Sequence, residues 1–232
     1  MSRNSLKVEK QNPEKRKRGR PPAAKEDGKE LIKAAALEEF AGSGFKGASV
    51  ERIAITAGVA KPLVHYHFGS KQELWIAAVS DGFEQFQGEA ESFVPEFLEK
   101  NPDEVIDRFA EAIVRFSAQN PYLVRISTDE TSKGGERADW LKERYLLPLQ
   151  NLAIDVVESI SGARKESTGI HLASILTPAI FGAINFPYID AHVVQTAHGV
   201  DVFSEQYIDA HTRFIAMLMK ASFAFEKQRA LQ

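Results

Sequence analysis

The sequence predicts an all-α protein, with an N-terminal three-helix unit ahead of a larger helical domain. Three observations point there. Apolar residues recur at helical spacing in every long segment, without the strict alternation of a half-buried strand. The breaks between those segments fall on Gly-Ser and Asn-Pro pairs. The stretch Ser49–Lys71 reads as two short helices joined by a tight turn, the layout of a helix-turn-helix.

Composition bounds the rest. A chain of 232 residues, 44% hydrophobic and 26% charged, has the material for a substantial core and an ordinary soluble make-up. The absence of cysteine excludes disulfides and thiolate metal sites and fits a reducing compartment. The charged N-terminus lacks the apolar run of a signal peptide, so a cytoplasmic location is expected. The net charge of −3 conceals an asymmetry: residues 1–25 hold nine Lys or Arg against two Glu, a net +7, which leaves −10 for the remainder. A basic arm on an acidic body is the charge pattern of a nucleic-acid binder whose second half faces away from the nucleic acid.

Within residues 1–26 the run Lys17-Arg18-Gly19-Arg20-Pro21-Pro22 looks like the core of an AT-hook. Glycine lets the backbone lie deep in a narrow minor groove, and Arg18 and Arg20 can follow its negative floor. The alternative is a solvated charge run that adds only nonspecific attraction. Either way the arm is too polar and Pro-rich to pack, and disorder is expected without DNA.

The first helix is expected over residues 27–41, with Leu31, Ile32, Ala35, Ala36 and Phe40 as its apolar stripe and Lys29, Lys33, Glu38 and Glu39 outside. Gly42-Ser43-Gly44 stops it; the Walker spacing of a phosphate loop is missing. Ser49 caps the next helix, with Arg52 in place of the reciprocal Glu of a capping box. Ile53, Ala54 and Ala57 form its buried face, and Gly58 supplies the positive φ of its end. Pro62 sits in the first turn of the third helix, where a missing N–H costs nothing, and Gly69-Ser70 ends that helix. In a major groove, Lys61 could reach phosphate or guanine, and Pro62 and Leu63 thymine methyls. His65, Tyr66 and His67 could donate to bases or phosphate. Lys71, at the start of a further helix, suits a phosphate. Ser49 and Arg52 complete the candidate DNA-binding set; an ordinary pair of core helices is the competing reading.

These residues together resemble the TetR family of transcriptional regulators. The likeness rests on Leu31, Ile32, Ala35, Ala36, Phe40, Gly44-Phe45, Ser49, Ile53-Ala54, Ala57-Gly58-Val59, Lys61, Tyr66, Phe68, Lys71 and Leu74, about 50 residues in all. Leu63 and His65 depart from the residues many relatives carry there, so base preference does not transfer. The resemblance implies a helix-turn-helix domain at 27–72 and a helical effector-binding and dimerisation domain at 73–232. It also implies a lever helix between them and a small effector in the second half.

That second half is helical by periodicity. Lys71 to about Phe93 carries Leu74, Trp75, Ala78, Val79, Phe83 and Phe86 on one side, and the domain boundary is placed near residues 93–102. Helices follow over Pro102–Ser117 and from Pro121 to about Ile126, then a polar loop at Thr131–Gly135. A long helix, Asp139–Ile160, should be bent by Pro148. Ile170–Val194 is apolar most of the way round but broken by His171, Ser174, Thr177, Pro178, Asn185 and Pro187, which argues for burial on two sides rather than a membrane span. With the last helix, Phe203–Phe225, it is assigned to a symmetric homodimer interface. Phe109, Ile113, Phe116, Phe181 and Ile184 are the candidates to line an effector pocket for an apolar or aromatic guest, against the plainer reading that they are core.

No cofactor or metal is called for: His171, His192, His198 and His211 lack ligand spacing. Asp129-Glu130 and Glu38-Glu39 are adjacent and point apart on a helix, no Gly-x-Ser-x-Gly elbow appears, and an enzyme is not expected. The expected function is a ligand-responsive repressor that binds a palindromic operator as a homodimer. The alternatives are a helical small-molecule-binding protein without specific DNA readout and an architectural A·T-tract binder.

Overall fold

The computed structural model describes residues 23–93, 101–151 and 172–229, all of them helical or in short connections. Arg18 and Arg20, the proposed 93–102 boundary for the most part, and the second half of the expected Asp139–Ile160 helix lie outside those residues.

Helix α1 runs Ala23–Gly47, longer at both ends than the sequence suggested. Gly42 and Ser43 stay helical; the break is at Gly44 (φ 65°, ψ 167°), a conformation essentially reserved for glycine, after which one more turn forms. Lys33, expected outside, is buried instead. It pairs with Asp81, and with Glu30 at 2.7 Å. Burial works against its charge, but the two carboxylates outweigh it and raise its pKa. Leu31, expected in the stripe, is exposed.

Helices α2 (Val50–Thr56), α3 (Lys61–Phe68) and α4 (Lys71–Phe93) follow the expected positions. Gly58 and Gly69 take φ values of 65° and 64° at the two turns. α4 begins with a full capping box: Ser70 Oγ accepts from Glu73 N at 3.1 Å, and the Glu73 carboxylate accepts from Ser70 N at 3.0 Å. Ile32, Ala36, Phe40, Ile53, Val64, Phe68, Leu74 and Trp75 close one core around these four helices.

Helix α5 spans Pro102–Gln119 and α6 Pro121–Lys133. The Thr131–Gly135 loop therefore shrinks to Gly134-Gly135. Its hydroxyls are satisfied on the preceding turn, Thr131 Oγ1 donating to Ser127 O at 2.7 Å and Ser132 Oγ to Asp129 O at 2.8 Å. Helix α7, Glu136–Leu141, passes into a π-helical stretch, Lys142–Leu146, just ahead of Pro148. A proline cannot donate to the carbonyl four residues back and crowds it; widening the preceding turn relieves that crowding.

Leu123 and Ile126 of α6, Leu141, and Tyr145 of the π-helical stretch join the first core, so it extends well past residue 72. A second core forms from α5 with helices α8 (Leu172–Ile189) and α10 (Glu205–Arg229). The expected Ile170–Val194 helix is two: Asp190 leaves helical geometry (φ −120°, ψ 46°), and its carbonyl starts α9, Ala191–His198. The last helix begins at Glu205, not Phe203, with Ser204 Oγ accepting from Tyr207 N at 3.3 Å. Arg115 of α5 reaches Glu205 and Asp209 of α10, each at 2.9 Å.

One side chain repairs a defect in α8. Pro187 has no N–H to give the carbonyl of Ala183, and His211 of α10 supplies it through Nε2 at 3.1 Å, while Nδ1 accepts from Tyr188 OH at 3.1 Å. Burial favours the neutral imidazole, which can fill both roles at once. Burial lowers the His211 pKa and raises that of Tyr188.

Among the described residues no helix is long and apolar enough to cross a membrane, and no group of His, Asp and Glu is placed to hold a metal ion.

Two outcomes follow for stability. Gly44→Ala should cost about 1–3 kcal/mol in denaturant unfolding, because the backbone there excludes a Cβ conformation; the neighbours themselves leave room, at 3.7 Å. For His211 the unfolded chain binds the proton more tightly than the native state. Native stability should hold above the usual imidazole pKa of about 6.5 and decline as pH falls below it. His211→Gln, compared by unfolding from pH 5 to 8, should flatten that decline.

Candidate functional site

The exposed face of α3 is the first candidate surface. Val64 and Phe68 are buried and anchor the helix on α1 and α4, which turns Lys61, Pro62, His65 and Tyr66 outward. Leu63 and His67 are half-buried beside them. Tyr66 is 71% exposed, its ring edge-on to His67 with centroids 5.3 Å apart. His65 Nδ1 lies 3.2 Å from Gly69 O, at the end of the helix, and Lys61 Nζ stands 3.9 Å from the Glu51 carboxylate.

Ser49 and Arg52 are engaged within the protein. Ser49 Oγ accepts from Arg52 N at 3.4 Å. The missing reciprocal Glu is supplied from α1: Glu39 accepts from Ser49 N at 2.9 Å and holds the Arg52 guanidinium, with Nε at 2.9 and 3.1 Å from its two oxygens. Arg52 also donates to Gly47 O at 3.0 Å. The Arg52 bonds, more than the opposing burial, lower the Glu39 pKa, with help from the Ser49 amide. Sequence spacing could not find Glu39, because a capping box looks for its acid three residues on, not ten residues back.

Lys71 is partly spent too. Its Nζ donates to Ala48 O at 3.0 Å and Lys46 O at 3.4 Å and lies 4.8 Å from the Phe45 ring centre. The other side of this corner belongs to α7: the Arg137 guanidinium sits 4.0 Å from the Phe45 ring centre and pairs at 3.0 Å with the buried Glu130 of α6. Phe45 thus joins the ends of α1 and α4 to α7 and, through Glu130, to α6.

The second candidate is a cavity of about 310 Å³ between α4, α5, α6 and α8. Phe109, Ile113, Phe116, Phe181 and Ile184 all line it. Phe83 and Phe86 of α4, Val124 and Ser127 of α6, and Leu146 and Leu149 after α7 complete much of the wall. Phe83 and Phe86 stand on the apolar side recognised in the sequence, but periodicity alone does not distinguish a core face from a cavity face.

Residues 32–78 match the family model of bacterial regulatory proteins, tetR family. Over this segment the chain is similar to the tetR family. The HTH-type transcriptional regulator RutR of Escherichia coli (strain K12) is 44% identical over 63 residues, 27% of this chain and 28% of RutR. The match thus spans under a third of the length of such curated relatives. Solved structures extend the likeness of fold. A TetR-like regulator from Rhodococcus sp. RHA1 gives a TM-score of 0.60 at 20% identity, covering 89% of this chain and 99% of that one. FadR from Bacillus subtilis, in complex with stearoyl-CoA, gives 0.56 at 20% identity over 82% of this chain and 96% of FadR. At identity this low the likeness is one of fold alone and carries nothing about ligand.

The Glu39 clamp is open to a direct check. An NMR titration of the Glu39 carboxyl should show a midpoint below the usual carboxylate range, and Arg52→Ala should return it towards that range.

Proposed function

We propose that the protein is a ligand-responsive, sequence-specific DNA-binding regulator, most simply a repressor, acting as a homodimer on a palindromic operator. The carrying observation is the outer face of α3, where Lys61, Pro62, His65 and Tyr66 stand together on a helix held rigidly by Val64 and Phe68. A second helix of this kind, seated in the major groove, reads bases through such side chains while its neighbours hold phosphates. In this reading Lys61, Leu63 and His65 address base edges, and Tyr66, His67 and Lys71 address phosphates. Lys71 keeps one donor for the purpose, since an ammonium carries three and two go to Ala48 O and Lys46 O. Ser49 and Arg52 brace α2 at the groove edge, and Arg18 and Arg20 extend the contact along the duplex.

Dimerisation is supported by the apolar side chains left exposed on one protomer: Ile175 and Phe186 of α8, Val193 of α9, Phe214 and Met217 of α10. Contiguous patches of that kind mark association sites. Pairing through them would set two copies of α3 about 34–36 Å apart, one turn of duplex. The cavity supplies the control. Its α6 wall, Val124 and Ser127, is the face next to the one whose Leu123 and Ile126 pack into the first core, about 100° round the helix. A guest that favours one packing of α6 over the other shifts the spacing of the two α3 helices by its differential affinity.

Selection from a randomised duplex pool tests this. Lys61→Ala or His65→Ala should change the selected sequence, with a loss of about 1–3 kcal/mol on the parent's preferred site. Tyr66→Phe and Lys71→Ala should weaken all sequences alike. Removing residues 1–25 should leave selection intact while lowering affinity and flattening its salt dependence. Loss of nearly all binding on that truncation would favour an architectural A·T-tract binder, and no DNA binding by the full chain would leave only a small-molecule-binding protein.

A further inference from the structure

The described wall of the cavity contains no charged side chain. It is dominated by rings, among them Phe86 and Phe116 stacked with centroids 4.3 Å apart. An unpaired carboxylate, phosphate or ammonium moved from water into such a wall forfeits its solvation with nothing to replace it. Arg115 of α5, next in sequence to Phe116, is held by Glu111, Glu205 and Asp209.

Against this apolar background α8 brings polar groups with capacity left over. Asn185 is 3% exposed; Nδ2 donates to Phe181 O at 2.8 Å, and Oδ1 lies 2.9 Å from Ser117 Oγ, whose one proton is shared with Ile113 O at 2.9 Å. A carboxamide carries two N–H donors, and those bonds account for one. Thr177, also in the wall, holds a buried Oγ1 with no hydrogen-bond partner among the described residues. Buried polar atoms in native proteins are nearly always paired, and each exception calls for a missing partner. Thr177 and Asn185 lie eight residues apart, about 12 Å along the helix, with Ile180, Phe181 and Ile184 lining the interval.

Resting on the reading of this cavity as the effector site, we infer that its ligand is an uncharged, largely apolar or aromatic molecule bearing a carbonyl- or hydroxyl-type oxygen, held by Asn185 and Thr177. The apolar body fills the ring-lined space, and the oxygen takes the spare Asn185 N–H at one end or the Thr177 hydroxyl at the other. The oxygen gives selectivity as well as binding, because a hydrocarbon of the same shape leaves those groups unpaired.

Calorimetry on the full chain with four probes of one skeleton tests the inference: butyrophenone, butylbenzene, phenylbutyrate and phenylbutylamine. Butyrophenone should bind about tenfold tighter than butylbenzene and than either ion. Asn185→Leu should bring butyrophenone down towards butylbenzene. Thr177→Val, which keeps side-chain volume and leaves the Ser117 bond alone, should reduce the preference for the ketone in the folded protein. Equal or tighter binding of an ion, or of butylbenzene, overturns the ligand class. If that ion or hydrocarbon also releases DNA in a gel shift, the effector reading survives the failure. Butyrophenone binding with the stated preference but without any change in DNA affinity upholds the ligand class and defeats the effector reading. No binding of any probe overturns the inference.

Discussion

Phe45 is the joint on which the architecture depends. Gly44 turns the end of α1 back in a conformation closed to other residues, and Phe45 then stacks on Phe40 with centroids 5.9 Å apart and meets Trp75 edge-on at 6.4 Å. Cations cover it from two elements, Lys71 from the start of α4 and Arg137 from α7. Arg137 is in turn fixed by a buried carboxylate, Glu130, whose charge would be expensive to leave unpaired. The contact is therefore strongly directional. Three segments distant in sequence meet at one ring, a fourth is tied in through Glu130, and none can shift far without disturbing the others.

That junction explains why the molecule has two cores yet no clean seam between a reading head and a body. The first core takes in Leu123, Ile126, Leu141 and Tyr145 along with the first four helices, while the second gathers α5, α8 and α10. The cavity lies where the two meet, lined from α4 and α6 on one side and α5 and α8 on the other. Rings that would otherwise finish the packing of either core line it. Close-packed interiors resist continuous deformation, so a void at this boundary is where the packing has room to rearrange.

Much of the reading head was legible in the sequence because its signals are local. Gly58, Pro62 and Gly69 mark turns by backbone chemistry alone, and Ile53, Ala54, Val64 and Phe68 are buried at helical spacing. Phe109, Ile113, Phe116, Phe181 and Ile184 reach the cavity wall for a related reason: a stripe of large apolar side chains on two neighbouring helices has few places to go. What escaped is nonlocal. Glu39 completes a cap ten residues away, Arg137 finds Phe45 across 92 positions of sequence, and His211 answers a carbonyl freed by Pro187. Lys33 read as solvent-facing because a lysine usually is, and only the fold reveals Asp81 waiting beside it. Helix ends were the other failure. Gly42-Ser43 and Thr131-Ser132 look like loops by composition, yet a hydroxyl bonded to the turn behind it lets a helix continue.

The widened turn at Lys142–Leu146 has an effect on aim as well as on Pro148. A π-type turn takes in one residue more than an α-turn, so every later side chain on that rod is rotated by roughly 100° from where unbroken 3.6-residue winding would point it. Leu149 and Gln150 meet the cavity with that offset in place. The register of this wall is thus written two turns upstream, in a single surplus position, and shortening the segment by one residue would present a different face of the helix to the same space.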